Sequence, residues 1–565
     1  MTQPSWVARP VDEAIAATLQ QAGAPTLLAR ALAARGAQVD DLQEPDLQEL
    51  LPFDTLKGVG QAATLLAEAI AAGKKIVIIA DYDADGATAC AIGLRALRAM
   101  GAAVDYLVPN RITMGYGLTP EVVQLALARQ PDLLVTVDNG IASVAGVAAA
   151  NALGIPVIVT DHHLPGEVLP NAAAIVNPNQ PDCSFPSKAL AGVGVMFYTM
   201  LALRAELRRR GVWQARPEPN LGALLDLVAL GTVADVVRLD RNNRLLVAAG
   251  LRRVRSGRAS AGLNALYRVA GRDPARAVSA DLGFVLGPRL NAAGRMEDMT
   301  HGIECLACDE VDVALHYAQK LDAFNRERRE VEGAMQESAL ARLDTLEAGQ
   351  RYTLSLYDPE WHPGVIGILA SRIKDRFHRP VITFAPGTTA EEIRGSGRSI
   401  AGFHLRDALD QVTKQHPDLI LRFGGHAAAA GLTWRSGDFA RFEAAFEAVA
   451  RQWLSPGDLA LQIDYDGEVA PADLTLATAE ALRAQVWGQG FPEPLFGARF
   501  AVIQQRVVGE RHLKLRLRQG GRAFDAIFFG HAEPLPDSIQ ALFQLSVNEW
   551  NGNRQLQLEL RHWSV

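Results

Sequence analysis

Lys74-Lys75-Ile76-Val77-Ile78-Ile79-Ala80-Asp81-Tyr82-Asp83-Ala84-Asp85-Gly86 is the stretch on which the fold turns. Its apolar run has no polar alternation, the pattern of a parallel strand covered on both faces, and it closes on an acid. Gly86 then opens a helical stretch to about Met100, and a second strand is expected around Val104 to Val108. The motif returns downstream: Leu133 to Val137 ends in Asp138, a helix is expected over Ser143 to Ala152, and Ile155 to Thr160 ends in Asp161. Strands alternating with helices imply a parallel sheet. Ligands of such sheets collect beyond the carboxyl ends of the strands, and here three strands deliver aspartates to that edge.

Asp81, Asp83 and Asp85 stand two residues apart, so an extended backbone would aim all three at one side. Like charges so placed repel unless a cation lies among them. A solvated acidic loop is the plainer reading, but such a loop seldom terminates a buried apolar strand. Asp161-His162-His163 adds imidazole, one ring able to offer a neutral nitrogen while its neighbour stays free for proton transfer. A donor set of oxygen and nitrogen suits Mn²⁺ or Mg²⁺ better than a thiolate zinc site. Paired divalent ions activate water and neutralise phosphate oxygens, a recurrent route to phosphoester hydrolysis.

The rest of the chain sets the frame. Its 565 residues suggest roughly three or four domains. The expected divisions are a helical segment over 1–50, the acidic α/β lobe over 51–304, a long connecting helix over 305–350, a second α/β lobe over 351–455, and a β-rich remainder over 456–565. Residues Leu221 to Val237 read as a buried helix ending near Asp235, and the charged stretch Val311 to Leu346 as one long helix. In the second lobe, strands are expected near Arg351–Tyr357 and Pro380–Ala385, with a helix over Val365–Phe377. Beyond Pro456-Gly457 short alternating strands take over; in His512-Leu513-Lys514-Leu515-Arg516-Leu517-Arg518 the leucines share one face and the cations the other. Asn551-Gly552 marks a hairpin, and a small barrel follows.

The four cysteines, Cys90, Cys183, Cys305 and Cys308, are too few for a disulfide framework. The Cys305/Cys308 pair lacks the second pair a zinc ribbon needs, so both read as small helix-core residues. No charged leader precedes an apolar run, and charges interrupt the later ones, so a cytoplasmic location is the expectation and a membrane partner is not. A net charge of −7 excludes nucleic-acid binding over the whole surface and leaves only local contacts.

The aspartate-rich strand end, Val137-Asp138-Asn139-Gly140 and Asp161-His162-His163 resemble successive motifs of the DHH phosphoesterase superfamily. Downstream, Leu190-Ala191-Gly192-Val193-Gly194-Val195, Ala229-Leu230-Gly231-Thr232-Val233-Ala234-Asp235, Gly287-Pro288-Arg289-Leu290-Asn291-Ala292-Ala293-Gly294-Arg295 and Trp361-His362-Pro363-Gly364 resemble, in the same order, the bacterial single-strand-specific exonucleases of that superfamily. The likeness spans nearly the whole chain. Two departures stand out: Thr113-Met114 before Gly115-Tyr116-Gly117-Leu118, where an acid is common, and Arg238, where proline is common.

The resemblance implies an α/β architecture: a parallel-sheet DHH domain and a DHH-associated domain joined by the long helix, with an oligonucleotide-binding (OB) barrel at the carboxyl end. It implies two divalent ions, Mn²⁺ or Mg²⁺, held by Asp81, Asp83, Asp85, Asp138, His162 and Asp235, with Asp138 the bridge. Asp161 and His163 would orient the site and assist proton transfer. Arg111 and Arg289 would grip a 5′ phosphate. Asn291, Ser396, Arg398 and His426, the last three in the DHH-associated domain, and Lys514 and Arg516 on the barrel would bind substrate. Read alone, Gly192-Val193-Gly194 is an ordinary loop, and Phe528, Phe529 and Trp550 read as barrel interior rather than base-stacking groups.

The implied activity is 5′-to-3′ hydrolysis of single-stranded DNA to 5′-mononucleotides in repair and recombination. Single-strand-binding protein and a repair helicase would be partners. Two other classes share the motifs: a phosphodiesterase of short RNA or cyclic dinucleotides, which has no need of the barrel, and a non-catalytic single-strand scaffold, which typically loses metal ligands. Every expected acid is present here.

Overall fold

β-branched residues dominate the run at Lys75–Ala80, and it forms a strand (β1) whose side chains from Ile76 onward are wholly buried. The computed structural model describes every residue except 1–3, 43–45, 111–113, 115, 346–349, 388, 390–391, 436 and 551, and the side chains of 344, 345 and 550. Four further strands join β1: β2 (Ala103–Leu107), β3 (Leu133–Val137), β4 (Val157–Thr160) and β5 (Ala174–Val176). Their order is β2-β1-β3-β4-β5, and every pair is parallel. The chain leaves β1 toward β2 on one side and returns to β3 on the other, which opens a crevice at the carboxyl ends of β1 and β3.

The sheet ladder runs one residue past three of these strands. Asp81 N–H donates to Val137 O at 3.3 Å, Asp138 N–H to Thr160 O at 3.0 Å and Asp161 N–H to Val176 O at 3.1 Å. Three strand-end carboxylates are thereby fixed in a row on one edge, as the strand pattern predicts.

Helices meet that edge. The first, α1 (Ala84–Ala99), starts two residues before Gly86 because Asp83 caps it. That early start overturns the extended spacing expected for Asp81, Asp83 and Asp85: Asp83 is the N-cap and Asp85 sits in the first helical turn. Gly192-Val193-Gly194 is likewise no loop but the opening of α2 (Gly192–Arg209). The apolar stretch from Leu221 divides into a 3₁₀ turn, Leu221–Leu224, and α3 (Leu225–Ala234), which stops at Asp235. Both α2 and α3 pack on α1. Further along the chain lie α4 (Gly287–Met296) and a 35-residue helix, α5 (Val311–Thr345), matching the long helix expected.

The chain forms two compact units: Ala8–Ala323 with Tyr465–Val565, and Phe324–Asp464 with the chain start through Val7. In the latter, β6 (Leu354–Tyr357), β7 (Val381–Pro386), β8 (Glu392–Arg398), β9 (Arg422–Gly425) and β10 (Ala429–Arg435) pair in the order β9-β10-β8-β7-β6. Only β6 and β7 run parallel. Phe384, Trp434, Phe442 and Phe446 fill its core.

In the larger unit, β11 (Phe496–Val508), β12 (His512–Gln519), β13 (Arg522–Phe528), β14 (Ser538–Trp550) and β15 (Asn553–Ser564) close a barrel in the order β11-β12-β13-β15-β14. A single parallel pair, β13 with β15, lets five strands close, as in an OB fold. Leu513, Leu515 and Leu517 are buried inside it, with Lys514, Arg516 and Arg518 on the other face of β12. Phe529, expected in the interior, is 48% exposed. Phe528 is partly buried and stacks on His531, ring centroids 4.6 Å apart. The side chain of Trp550, and Asn551 of the expected hairpin signal, lie outside the described residues. Cys305 is buried in the helix Thr300–Ala307 and Cys308 caps its end; all four cysteines are free thiols. No helix among the described residues is long and apolar enough to cross a membrane.

Candidate metal centre

Strand ends, the start of α1 and the end of α3 bring Asp81, Asp83, Asp85, Asp138, His162, His163 and Asp235 to one place. Ligand atoms of Asp81, Asp83 and Asp138 lie within 4.8 Å of one another, as do those of Asp85, His162 and Asp235, and those of Asp138, His162 and His163. Asp138 and His162 each belong to two of these sets. Their facing atoms, Oδ1 and Nε2, are 3.1 Å apart, and His162 Nε2 is 3.5 Å from Asp235 Oδ2.

The backbone is shaped around these groups. Asp138 takes φ +61°, in the left-handed region that aspartate tolerates, and Val236, just after Asp235, takes φ +64°, which a β-branched residue avoids. A Cβ at Gly192 would stand 2.7 Å from Asp138 Cβ and Oδ1, so only glycine lets α2 begin there. Gly192 and Val193 N–H groups donate to Asp85 Oδ2 and Oδ1 at 2.6 and 2.8 Å. Asp83 Oδ1 caps α1 by accepting from Asp85 and Gly86 N–H. Each Asp85 oxygen keeps a second lone pair, and Asp83 keeps its Oδ2.

Asp161 is an organiser, buried and without exposure. Its Oδ2 accepts from Ile141 N–H at 2.9 Å. Its Oδ1 accepts from His162 N–H at 2.7 Å and His163 N–H at 3.1 Å, and lies 2.8 Å from His163 Nδ1. Burial alone would raise the Asp161 carboxyl, but the His163 hydrogen bond and charge outweigh it and hold its pKa below the usual value. Burial likewise opposes protonation of His163, yet the Asp161 hydrogen bond and charge, with Asp81 and Asp83 nearby, raise its pKa. His162 goes the other way: burial, then the neighbouring His163, push it down to about 4, so the ring is neutral at about pH 7 and can offer a nitrogen lone pair. Two adjacent imidazoles are thus shifted in opposite directions.

Burial and mutual repulsion raise the carboxyls of Asp85, to about 7, and of Asp138 and Asp235. Asp138 Oδ1 and His162 Nε2 are buried with no hydrogen-bond partner. Such orphaned atoms among crowded acids fit divalent cations, which would supply the missing partners, and the all-oxygen-and-nitrogen donor set fits hard ions of the Mn²⁺ and Mg²⁺ kind.

A pH dependence follows. A carboxyl with a folded pKa above its unfolded one binds its proton more tightly in the folded state; the stability it contributes is full below the ordinary carboxylate range and is lost as pH rises through the folded pKa. In chelator, the melting temperature is expected to fall from about pH 6 to about pH 8, while the stabilisation by Mn²⁺ grows over that window as metal displaces protons. A Mn²⁺ effect on melting that is flat with pH would contradict this.

Other expected residues fall as follows. Arg111 lies outside the described residues. Arg289, on α4, is held by Asp322, with Nε and Nη2 at 3.0 and 2.9 Å from Oδ1. Asn291 Oδ1 accepts from Ala84 N–H at 2.8 Å, so it buttresses the start of α1 beside Asp83. In the other unit, Arg398 Nη1 donates to Ser396 Oγ at 3.3 Å, and the sheet register sets Arg398 opposite Ala429, whose carbonyl receives the His426 N–H. Arg516 pairs with Asp525 at 3.3 Å, and Lys514 lies opposite Arg506 on β11.

Sequence reading misses three groups. Asn139 Nδ2 donates to Ile79 O and Val137 O, tying β1 to β3; Asn177 and Asn179 donate to the carbonyls of His163 and His162. Asn177-Pro178-Asn179 directly after a buried strand is a legible turn signal. The third is Tyr116, whose hydroxyl donates to Asp138 O at 3.0 Å.

Comparison with known proteins agrees with this geometry. Residues 75–232 match the DHH family, N-terminal domain, 349–452 the DHHA1 domain, and 465–562 the RecJ OB domain. Fold, site and these matches define a DHH-family protein that carries an OB barrel. Single-stranded-DNA-specific exonuclease RecJ of Dickeya dadantii (strain 3937) is 52% identical over 95% of this chain and 96% of its own length, and that of Escherichia coli (strain K12) 50% over 94% and 95%. The crystal structure of RecJ in complex with Mn²⁺ from Thermus thermophilus superposes with TM-score 0.83 at 33% identity, covering 99% of this chain and 79% of that one. The chain belongs to the RecJ family.

Proposed function

We propose that this chain is a single-stranded-DNA-specific exonuclease that hydrolyses phosphodiester bonds from the 5′ end and releases 5′-mononucleotides in repair and recombination. The observation that carries the reading is the pair of donor sets tied together by Asp138 and His162, in a chain whose relatives carry that name over nearly its full length. Asp81, Asp83 and Asp138 would hold one divalent ion and Asp85, His162 and Asp235 the other, with Asp138, 3.1 Å from His162, the candidate ligand shared by both. Two such ions, Mn²⁺ or Mg²⁺, neutralise phosphate oxygens and lower the pKa of water.

The chain's own residues do the rest. Asp161 fixes the His163 ring through Nδ1, which leaves Nε2 as the edge that would carry a proton to the developing charge on the leaving oxygen, a role the raised pKa favours. Gly192 and Val193 hold Asp85, and Asn291 holds the start of α1, so the acids do not reorganise during reaction. Chemistry of this kind reads the backbone and not the base.

Arg111, Arg289, Ser396, Arg398 and His426 are proposed as phosphate and strand contacts, and Lys514 and Arg516 as barrel contacts to the same strand. Single-strand-binding protein and a repair helicase are proposed partners, on family resemblance. Digestion of single strands labelled at either end, with Mn²⁺ or Mg²⁺, tests the polarity: early release of the 5′ label is expected, and first release of the 3′ label would overturn it.

A further inference from the structure

Tyr116 stands outside every role assigned above, yet it touches the site at two points. Its hydroxyl donates to the carbonyl of Asp138 at 3.0 Å and lies 3.0 Å from Nδ1 and 3.4 Å from Nε2 of His163. With its proton committed to Asp138, the phenol oxygen is an acceptor toward His163. The Nδ1–H of His163 is therefore flanked by Asp161 Oδ1 at 2.8 Å and by the phenol oxygen, an arrangement that only the Nδ1–H tautomer, or the doubly protonated ring, satisfies. The Tyr116 ring meets the His163 ring edge to face at 5.5 Å and the Tyr82 ring at 6.2 Å, with Tyr82 lying between the ligand candidates Asp81 and Asp83. Despite these contacts Tyr116 is 45% exposed.

We infer that Tyr116 is a positioning residue for the proposed exonuclease reaction, acting through His163, and that its open ring is a stacking face for the base of the nucleotide whose phosphate lies on the acidic cluster. The hydroxyl does the positioning, because it is the group that joins the Asp138 turn to the His163 ring. The ring does the stacking, because an aromatic face beside a phosphate site accepts any base without reading it, as a sequence-tolerant nuclease requires. The inference rests on the function proposed above.

Three variants separate the parts. Tyr116→Phe keeps the ring and removes the tether: kcat on single strands is expected to fall about 10- to 100-fold with KM near that of the unaltered protein. On a His163→Ala background the same change is expected to cost nothing more, which a merely structural role would not produce. Tyr116→Leu is expected to share the kcat loss and to raise KM about 5- to 100-fold, but not on strands with abasic sites at the leading end. A readout independent of turnover is the ring-nitrogen resonances of His163 in the Mg²⁺-loaded protein: one fixed tautomer for the native residue, averaged shifts in Tyr116→Phe.

Full kcat in Tyr116→Phe, or additive losses with His163→Ala, would overturn the positioning role. Equal KM for the Phe and Leu variants would overturn the stacking face. Failure of the unaltered protein to cut single strands in the parallel reaction would instead count against the proposed function, and the His163 resonances still decide the tether.

Discussion

Asp138→Ala is expected to lose single-strand cleavage by about 10³- to 10⁴-fold, the largest effect expected of any single change in this protein, because as the proposed bridging ligand it would carry several kcal/mol of metal-ion stabilisation. Asp138 joins two of the three donor sets, is 1% exposed, and faces the unpartnered Nε2 of His162. Truncation removes the carboxylate proposed as the bridge and leaves His162 without the carboxylate nearest its Nε2. It also relieves like-charge crowding with Asp85, Asp83, Asp235 and Asp81, the neighbours that raise the Asp138 carboxyl. The variant is therefore expected to fold, and in chelator to melt no lower than the unaltered protein, while cleavage collapses. End-labelled digestion beside a chelator melting curve checks both halves; retained cleavage would show that the two sets work independently.

Asp161→Asn is expected to cost about 10³-fold in kcat and about 2–4 kcal/mol of stability. Asp161 receives only donors: three backbone N–H groups and His163 Nδ1. An amide must turn its own N–H₂ either toward the Ile141 N–H or toward the three donors at Oδ1, leaving buried donors face to face. His163 then loses the charge that sustains its proton, so the alkaline limb of the pH–rate profile, where a proton donor is lost, is expected to move to lower pH, the direction set by removing a carboxylate partner. Denaturant unfolding and a pH–rate series measure the two effects. An unchanged profile would deny His163 its proton-carrying role.

The contrast between the two substitutions follows from the local charge balance. Asp138 sits among acids, so its removal is tolerated by the fold and fatal to the site. Asp161 sits among donors, so its removal harms both.

Much of this is legible in the sequence because apolar runs closing on an acid have few structural outcomes. β1, β3 and β4 could only be parallel buried strands, and Asp81, Asp138 and Asp161 had to share their edge. Spacing alone misjudges Asp83 and Asp85: an N-cap pulls the chain into a helix within two residues of the strand, and the same i, i+2 interval then means something else. Gly192-Val193-Gly194 reads as a loop because its function is a close approach, a Cβ that cannot exist beside Asp138, and no local signal reports a neighbour so distant in the chain. Tyr116 and the Asn177/Asn179 pair escape sequence reading for the same reason, since their hydrogen bonds bind segments that lie apart in the chain. Phe529 reads as interior by its apolarity, whereas it follows the last residue of β13, where alternation no longer governs which way a side chain faces.

The central claim is that Asp138 and His162 unite two cation sites in one centre. Counting bound Mn²⁺ by titration calorimetry or by electron paramagnetic resonance, in the unaltered protein and in Asp138→Ala, tests it most directly. Two ions per chain, magnetically coupled through a shared ligand, are expected in the first, and loss of that coupling with weakened binding of at least one ion in the second. A single Mn²⁺ per chain, or two ions bound equally well without Asp138, would contradict the account.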